Sequence, residues 1–86
     1  MVADLEKAQI MFKLARNGKW GACYDRTEYF KKFQDLDKAI KELSKIEWLI
    51  IHNKGKFTGI SLNTEHKKEI VDFIEKEMPY IKGMIR

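Results

Sequence analysis

Two strand-like runs on either side of a short turn constrain this chain more than any other feature. Residues 48–52 are β-branched and aromatic, residues 53–56 have the Asn, Lys and Gly typical of turns, and residues 57–62 form a second strand-like run. Helical spacing of apolar residues precedes and follows this hairpin. Because 86 residues are enough for one small domain, the sequence predicts a single α+β unit, mainly α, with one β-hairpin.

Two helices are predicted before residue 34. Asp4 is a candidate N-cap of the first helix, and residues 17–18, Asn and Gly, tolerate the left-handed backbone that ends a helix. Asp25 is followed three residues later by Glu28, which is the spacing of a capping box. This spacing predicts a short second helix that continues to about Phe33.

Two further helices flank the hairpin. Asp35 is a candidate N-cap of a third helix over residues 36–47, which has one apolar face. Asn63 or Thr64 is a candidate cap of the last helix, and Pro79 ends that helix because proline lacks the backbone N–H.

The predicted order of elements resembles the winged helix-turn-helix family. Residues 39–50 are similar to the family's passage from the recognition helix into the wing, and residues 54–63 resemble the wing and its second strand. The resemblance covers about residues 4–78, is closest to small archaeal transcription regulators, and leaves an apolar tail at 79–86. One departure is Trp48, which stands where such proteins usually place a glycine.

The resemblance implies a winged helix-turn-helix domain over residues 1–86, with a three-helix core, a hairpin wing and a C-terminal helix. It implies a double-stranded DNA-binding protein, a transcription regulator, with helix 36–47 in the major groove and wing 53–57 on the backbone. In this family the terminal helices often pair two copies, so a homodimer through the first and last helices is expected. The apolar residues available for pairing are Met1, Leu5, Ile10, Met11, Leu14, Ile81, Met84 and Ile85.

The positive charge is distributed as a DNA-binding surface requires. Seventeen Lys and Arg against thirteen Asp and Glu leave a net charge of +4, and the whole surplus lies before Asn63. Lys38, Lys41 and Lys45 recur at i, i+3 and i+7 and therefore share one face of the third helix. The other candidates are Arg26 and Thr27 at the start of the second helix, Lys54 and Lys56 in the wing, and Gln34 and Ser44 as neutral residues that can read bases.

Other functions receive less support from the sequence. The same fold can serve as a protein interaction module without direct DNA binding, and Asp37 and Glu42 within helix 36–47 suit that alternative. The aromatic residues suit single-strand stacking less well, because most are needed for the core. His52 and His66 are not near other possible metal ligands in the sequence, and no residue pattern marks a general base for Cys23. We therefore expect that the protein is not an enzyme and has no catalytic residue, metal, cofactor or small-molecule ligand.

The only cysteine indicates the compartment. Cys23 cannot form an intramolecular disulfide, which is typical of reducing, intracellular surroundings. The sequence has neither a signal-peptide pattern nor the ~18 continuous apolar residues of a membrane span. We therefore expect a cytoplasmic protein that does not associate with membranes.

Overall fold

The computed structural model describes residues 2–84, so Met1 and Ile85, named above among the apolar terminal residues, lie outside the described residues together with Arg86. Within them the chain forms a mixed α+β fold with three α-helices and a three-stranded antiparallel sheet. The elements are α1 Asp4–Arg16, β1 Asp25–Arg26, α2 Leu36–Lys45, β2 Leu49–Asn53, β3 Thr58–Leu62 and α3 Lys67–Glu77, with single 3-10 turns at Thr27–Phe30, Thr64–His66 and Pro79–Ile81.

The predicted hairpin is confirmed. β2 and β3 pair antiparallel from Leu49 opposite Leu62 to Asn53 opposite Thr58. The Asn53 side chain accepts a hydrogen bond from the Gly55 N–H at 3.2 Å, and Gly55 has a φ of +81°, which favours glycine. β3 is the central strand, because β1 pairs with its other edge.

The prediction of a second helix is wrong. The described residues form three α-helices, instead of the predicted three-helix core followed by a C-terminal helix. Asp25 and Arg26 are extended and pair with Ile60 and Gly59 of β3. The Asp25 carboxylate lies 3.6 Å from the Lys19 ammonium instead of capping a helix. Pairing with β3 keeps these residues out of the helical region, and only the 3-10 turn Thr27–Phe30 follows before α2.

The predicted helix caps are confirmed only in part. Ala3, not Asp4, occupies the N-cap position of α1. Asp35 is at the N-cap position of α2 without a side-chain capping hydrogen bond. Asn63 accepts a hydrogen bond from the Glu65 N–H at 3.1 Å, and so caps the 3-10 turn that leads into α3.

The C-terminus of α1 has the geometry that glycine favours. Gly18 has a φ of +69°, and its N–H donates to the Ala15 carbonyl at 3.1 Å. The Lys19 N–H donates to the Leu14 carbonyl at 2.9 Å. These two bonds define a Schellman motif with glycine at the left-handed position, as Asn17-Gly18 predicted.

α2 ends in the same motif, but with a glutamate at the left-handed position. Glu47 has a φ of +65°, and its N–H donates to the Ser44 carbonyl at 3.0 Å. The Trp48 N–H donates to the Leu43 carbonyl at 3.0 Å. The left-handed residue between helix and hairpin is therefore Glu47, immediately before Trp48, and its Cβ makes this backbone conformation costly.

The core lies between the sheet and the helices, and α1 packs against α3. Ile10, Met11 and Leu14 of α1, which were expected to contribute to a dimer interface, have no exposed surface and belong to this core. The remaining fully buried large apolar residues are Phe30, Leu43, Ile60, Leu62, Ile70 and Ile74.

Candidate nucleic-acid interface

The exposed face of α2 carries three lysines. Lys38, Lys41 and Lys45 are exposed, and none forms an ion pair within residues 2–84. The opposite face is buried against the rest of the chain, which fixes the lysine face toward solvent. We call Lys38, Lys41 and Lys45 the lysine stripe, and the buried residues opposite it are Ala39, Ile40 and Leu43.

Glu42 lies beside the lysine stripe, but its charge is compensated from α1. The Lys7 ammonium is 2.7 Å from the Glu42 carboxylate, which also accepts a hydrogen bond from the Val2 N–H at 3.4 Å. The hydrogen bond from Lys7 lowers the pKa of Glu42, and burial opposes this effect without reversing it. Glu42 therefore stays ionised and paired with Lys7. Because Lys7 compensates its negative charge, Glu42 reduces the positive potential of the lysine stripe less than its place in the sequence indicates.

The two neutral candidates, Gln34 and Ser44, lie outside the lysine stripe. The Ser44 hydroxyl donates to the Lys41 carbonyl of its own helix at 3.1 Å, so its proton already has an acceptor. Gln34 is exposed in the segment before α2, where it lines a groove beside α1. Neither side chain belongs to the lysine stripe.

A cluster of three rings forms between the hairpin and the residue before β1, and no local pattern in the sequence predicts it. Tyr24 stacks on His52 with ring centroids 4.7 Å apart, and its centroid is 6.0 Å from that of Phe57. The Arg26 guanidinium lies 4.1 Å from the centre of the Phe57 ring, and the Lys54 ammonium lies 5.4 Å from that of Tyr24. This ring cluster of Tyr24, His52 and Phe57 thus holds two of the predicted cations at one site through cation–π contacts.

Thr27 and Lys56 are the remaining predicted residues of this region, and Arg26 has one further contact. Arg26 also forms an ion pair with Glu28 at 3.1 Å. Thr27 is half-buried at the start of the 3-10 turn Thr27–Phe30, so the expected helix N-terminus is absent there. Lys56 is exposed in the hairpin turn, where its backbone N–H donates to the Lys54 carbonyl at 2.9 Å. In the described part of the chain, no ion pair or hydrogen bond joins these residues to the lysine stripe.

A buried hydroxyl orients the imidazole of the ring cluster. The Ser61 hydroxyl is fully buried and donates to the Gly21 carbonyl at 2.7 Å. The same oxygen lies 2.9 Å from Nε2 of His52. Since the single hydroxyl proton is directed at Gly21, the oxygen accepts from His52, which places a proton on Nε2.

The described residues offer no arrangement for a resident metal. Among residues 2–84, no three His, Cys, Asp or Glu side chains lie together as metal ligands would. No helix in that part of the chain has the length and apolarity needed to cross a bilayer.

Comparison of the chain with known protein families, with curated proteins and with solved structures gives no match.

Proposed function

We propose that this protein binds double-stranded DNA, as a winged-helix transcription regulator does, with α2 in the major groove and the β2–β3 hairpin against the backbone. The observation that supports this most directly is the lysine stripe. Three lysines at helical spacing are exposed and unpaired within residues 2–84, on the face of α2 opposite the core. Unpaired cations on one helix face attract phosphates without first breaking an ion pair.

The dimensions of α2 suit the major groove, and its composition suits contacts to phosphate more than to bases. Its ten residues span about 15 Å, and a helix with side chains is about 10–12 Å wide, close to the ~12 Å width of the major groove. α2 contains no Arg, Asn or Gln, the residues that make two hydrogen bonds to a guanine or an adenine. We therefore expect binding with weak sequence preference.

The cations of β1 and of the hairpin turn extend this proposed surface. Arg26 and Lys54 are held over the rings of Phe57 and Tyr24, which reduces the side-chain entropy lost on contact with a phosphate. With Lys56 and the lysine stripe they make six cations. Since each neutralised phosphate contributes about −0.9 to the log–log salt slope, five or six contacts predict a slope near −5.

Fluorescence anisotropy with a labelled random duplex, followed from low to physiological ionic strength, tests this proposal. The variant K38Q/K41Q/K45Q should bind more weakly and have a slope near −2.5, because about three phosphate contacts are lost. The control is K68Q/K76Q/K82Q, which removes the same charge from exposed lysines of α3 and the turn after it. A random single strand serves as competitor.

Equal slopes for the two triple variants would contradict insertion of α2. Preferred binding of the single-stranded competitor would contradict recognition of a duplex. Absence of duplex binding even at low salt would overturn the proposal and favour the alternative, a protein interaction module without direct DNA contact.

The homodimer stays a prediction. Exposed apolar residues remain near both ends of the described chain: Leu5 is 46% exposed, Tyr80 73% and Met84 62%. Sedimentation equilibrium of the wild-type chain and of Y80S/M84S tests it. A dimer that weakens in the variant supports pairing through the terminal segments, whereas a monomer at all concentrations contradicts it.

A further inference from the structure

A groove of about 790 Å³ runs along one face of α1 and is not part of the proposed DNA surface. Glu6, Gln9, Lys13 and Arg16 line it from α1, at spacings that place them on one side of that helix. The opposite wall is the segment 32–34 between the 3-10 turn Thr27–Phe30 and α2. The volume lies in the range of small-molecule sites.

The groove combines apolar rings with amide groups. Phe12, Phe33 and Met78 line it, and Met78 is almost fully buried. Gln9 and Gln34 line it with side-chain amides, and neither amide is engaged in a side-chain hydrogen bond within residues 2–84. Polar and charged residues outnumber the apolar ones in this lining, so the groove suits a small organic molecule that has both an apolar body and a charged or polar group.

The charge of the groove selects the sign of its ligand. Three cations line it, Lys13, Arg16 and Lys32, against one carboxylate, that of Glu6. Glu6 already accepts a hydrogen bond from the Asp35 N–H at 3.1 Å, so part of its capacity is used. The groove therefore favours an anion over a cation.

The charge is also unevenly distributed along α1. Glu6 and Arg16 are ten residues apart, which corresponds to about 15 Å along the helix axis. Lys13 and Arg16 belong to the last turn of α1, and the Lys13 ammonium is held by the Tyr29 carbonyl and lies 4.6 Å from the centre of the Phe30 ring. The basic end of the groove is thus partly preorganised, which lowers the entropy lost when an anion binds.

We propose that this groove binds a small aromatic carboxylate, with its acid group toward Lys13, Arg16 and Lys32 and its ring against Phe12, Phe33 and Met78. Arg16 is exposed and has no ion pair in the described residues, so its guanidinium is free to make two parallel hydrogen bonds to a carboxylate. The amides of Gln9 and Gln34 are positioned to hydrogen-bond further polar groups of the ligand. This site is independent of the DNA-binding proposal.

Displacement of a fluorescent probe tests the proposal. The probe is 1-anilinonaphthalene-8-sulfonate, which has aromatic rings and an anionic group, and the competitors at constant ionic strength are indole-3-acetate, indole-3-acetamide and inorganic phosphate. Indole-3-acetate should displace the probe at least about tenfold better than the neutral amide, the loss expected for about one charge-assisted hydrogen bond. Phosphate should not displace it, since phosphate has no apolar body.

Charge variants locate the site. R16Q/K32Q should weaken the binding of indole-3-acetate about tenfold, and Q34E should weaken it by placing a second carboxylate in the groove. The control K68Q/K76Q removes the same charge from α3 and should bind like the wild type. All these residues are exposed, so thermal unfolding should stay within a few degrees of the wild type, which the same samples verify.

Amide chemical shifts give the final criterion. Indole-3-acetate should shift the backbone resonances of Gln9, Lys13 and Phe33 more than those of α3. Unchanged affinity in R16Q/K32Q, displacement by the amide or by phosphate equal to that by the acid, or shifts centred away from the groove would each overturn the proposal.

Discussion

The ring of Tyr24 packs against Gly59, at a place where no side chain fits. A Cβ atom at residue 59 would lie 2.3 Å from Cδ1 and 3.0 Å from Cγ of Tyr24, so the ring as a whole, and not only its outer end, would have to move. The same ring stacks on His52 and lies beneath the Lys54 ammonium. Because Gly59 of β3 has no side chain, the ring of Tyr24 has room to join the ring cluster.

We expect Gly59→Ala to destabilise the protein by about 1–2 kcal/mol, because the ring must leave its stack and lose its packing. Urea unfolding measures the loss, and the near-ultraviolet circular dichroism of the aromatic residues should change with it.

A double-mutant cycle with Tyr24→Ala separates this contact from any effect of the alanine itself. In the Y24A background the clash is absent, and alanine suits a strand better than glycine. G59A should then be neutral or stabilising. An equal cost in both backgrounds would contradict the role of Tyr24.

The end of α2 offers a stabilising substitution. Glu47→Gly should raise the free energy of unfolding by about 1 kcal/mol, because glycine adopts the φ of +65° without the steric cost of a Cβ atom. Glu47→Ala removes the charge but keeps the Cβ, and it should give little of this gain. Gly18→Ala, at the equivalent position of α1, should have the opposite effect. Thermal unfolding compares the three, and a gain for E47A equal to that for E47G would attribute the effect to charge.

The pair of Lys7 and Glu42 predicts a pH dependence of stability. Because Lys7 lowers the pKa of Glu42 in the folded chain below its ordinary value of 4.5, the folded state binds fewer protons than the unfolded state in this range. The stabilisation is therefore present above pH 4.5 and is lost as the pH falls through the lower pKa of the folded protein.

Urea unfolding of the wild type and of Glu42→Gln, from neutral pH down to about pH 3, measures this effect. The two stabilities should converge as the pH falls below 4.5. Asp37→Asn is the control, since it removes an exposed carboxylate of the same helix that makes no ion pair in the described residues. A constant difference between wild type and E42Q at every pH would show that the pair does not titrate as stated.

Ser61 connects β3 to the segment before β1. Ser61→Ala should cost about 1–2 kcal/mol, because the half-buried Gly21 carbonyl and His52 Nε2–H lose their partner. Nitrogen NMR of the imidazoles should show His52 protonated on Nε2 in the wild type and a less defined tautomer in S61A. His66 serves as the internal reference. Wild-type protonation of His52 on Nδ1 alone would contradict the hydrogen-bond direction.

The elements that the sequence predicted correctly are those determined by neighbouring residues. The hairpin depends on a turn whose glycine and asparagine are adjacent, and α2 depends on apolar and basic residues at helical spacing. The lysine stripe is predictable for the same reason. β1 is different, because Asp25 and Arg26 have no strand pattern and are extended only through their pairing with Gly59 and Ile60.

The parts of the site that could not be predicted depend on contacts between distant residues. Tyr24 meets His52 because β1 and β2 flank the same strand, a relationship that no local pattern encodes. Gln34 lines the groove because the segment before α2 lies beside α1. Its spacing from the lysine stripe in the sequence does not indicate this position. The Lys7 to Glu42 pair likewise joins two helices that are far apart in sequence.

The strand order β1-β3-β2 has a consequence for the sequence of folding events. β2 and β3 close a short loop and pair along five residues each, whereas β1 pairs through two residues and must close the long loop from Arg26 to Gly59. Because local pairing is faster, we expect the hairpin to form first and β1 to be added late. We therefore expect the site that holds Arg26 and Lys54 to form late in folding and to open before the hairpin does.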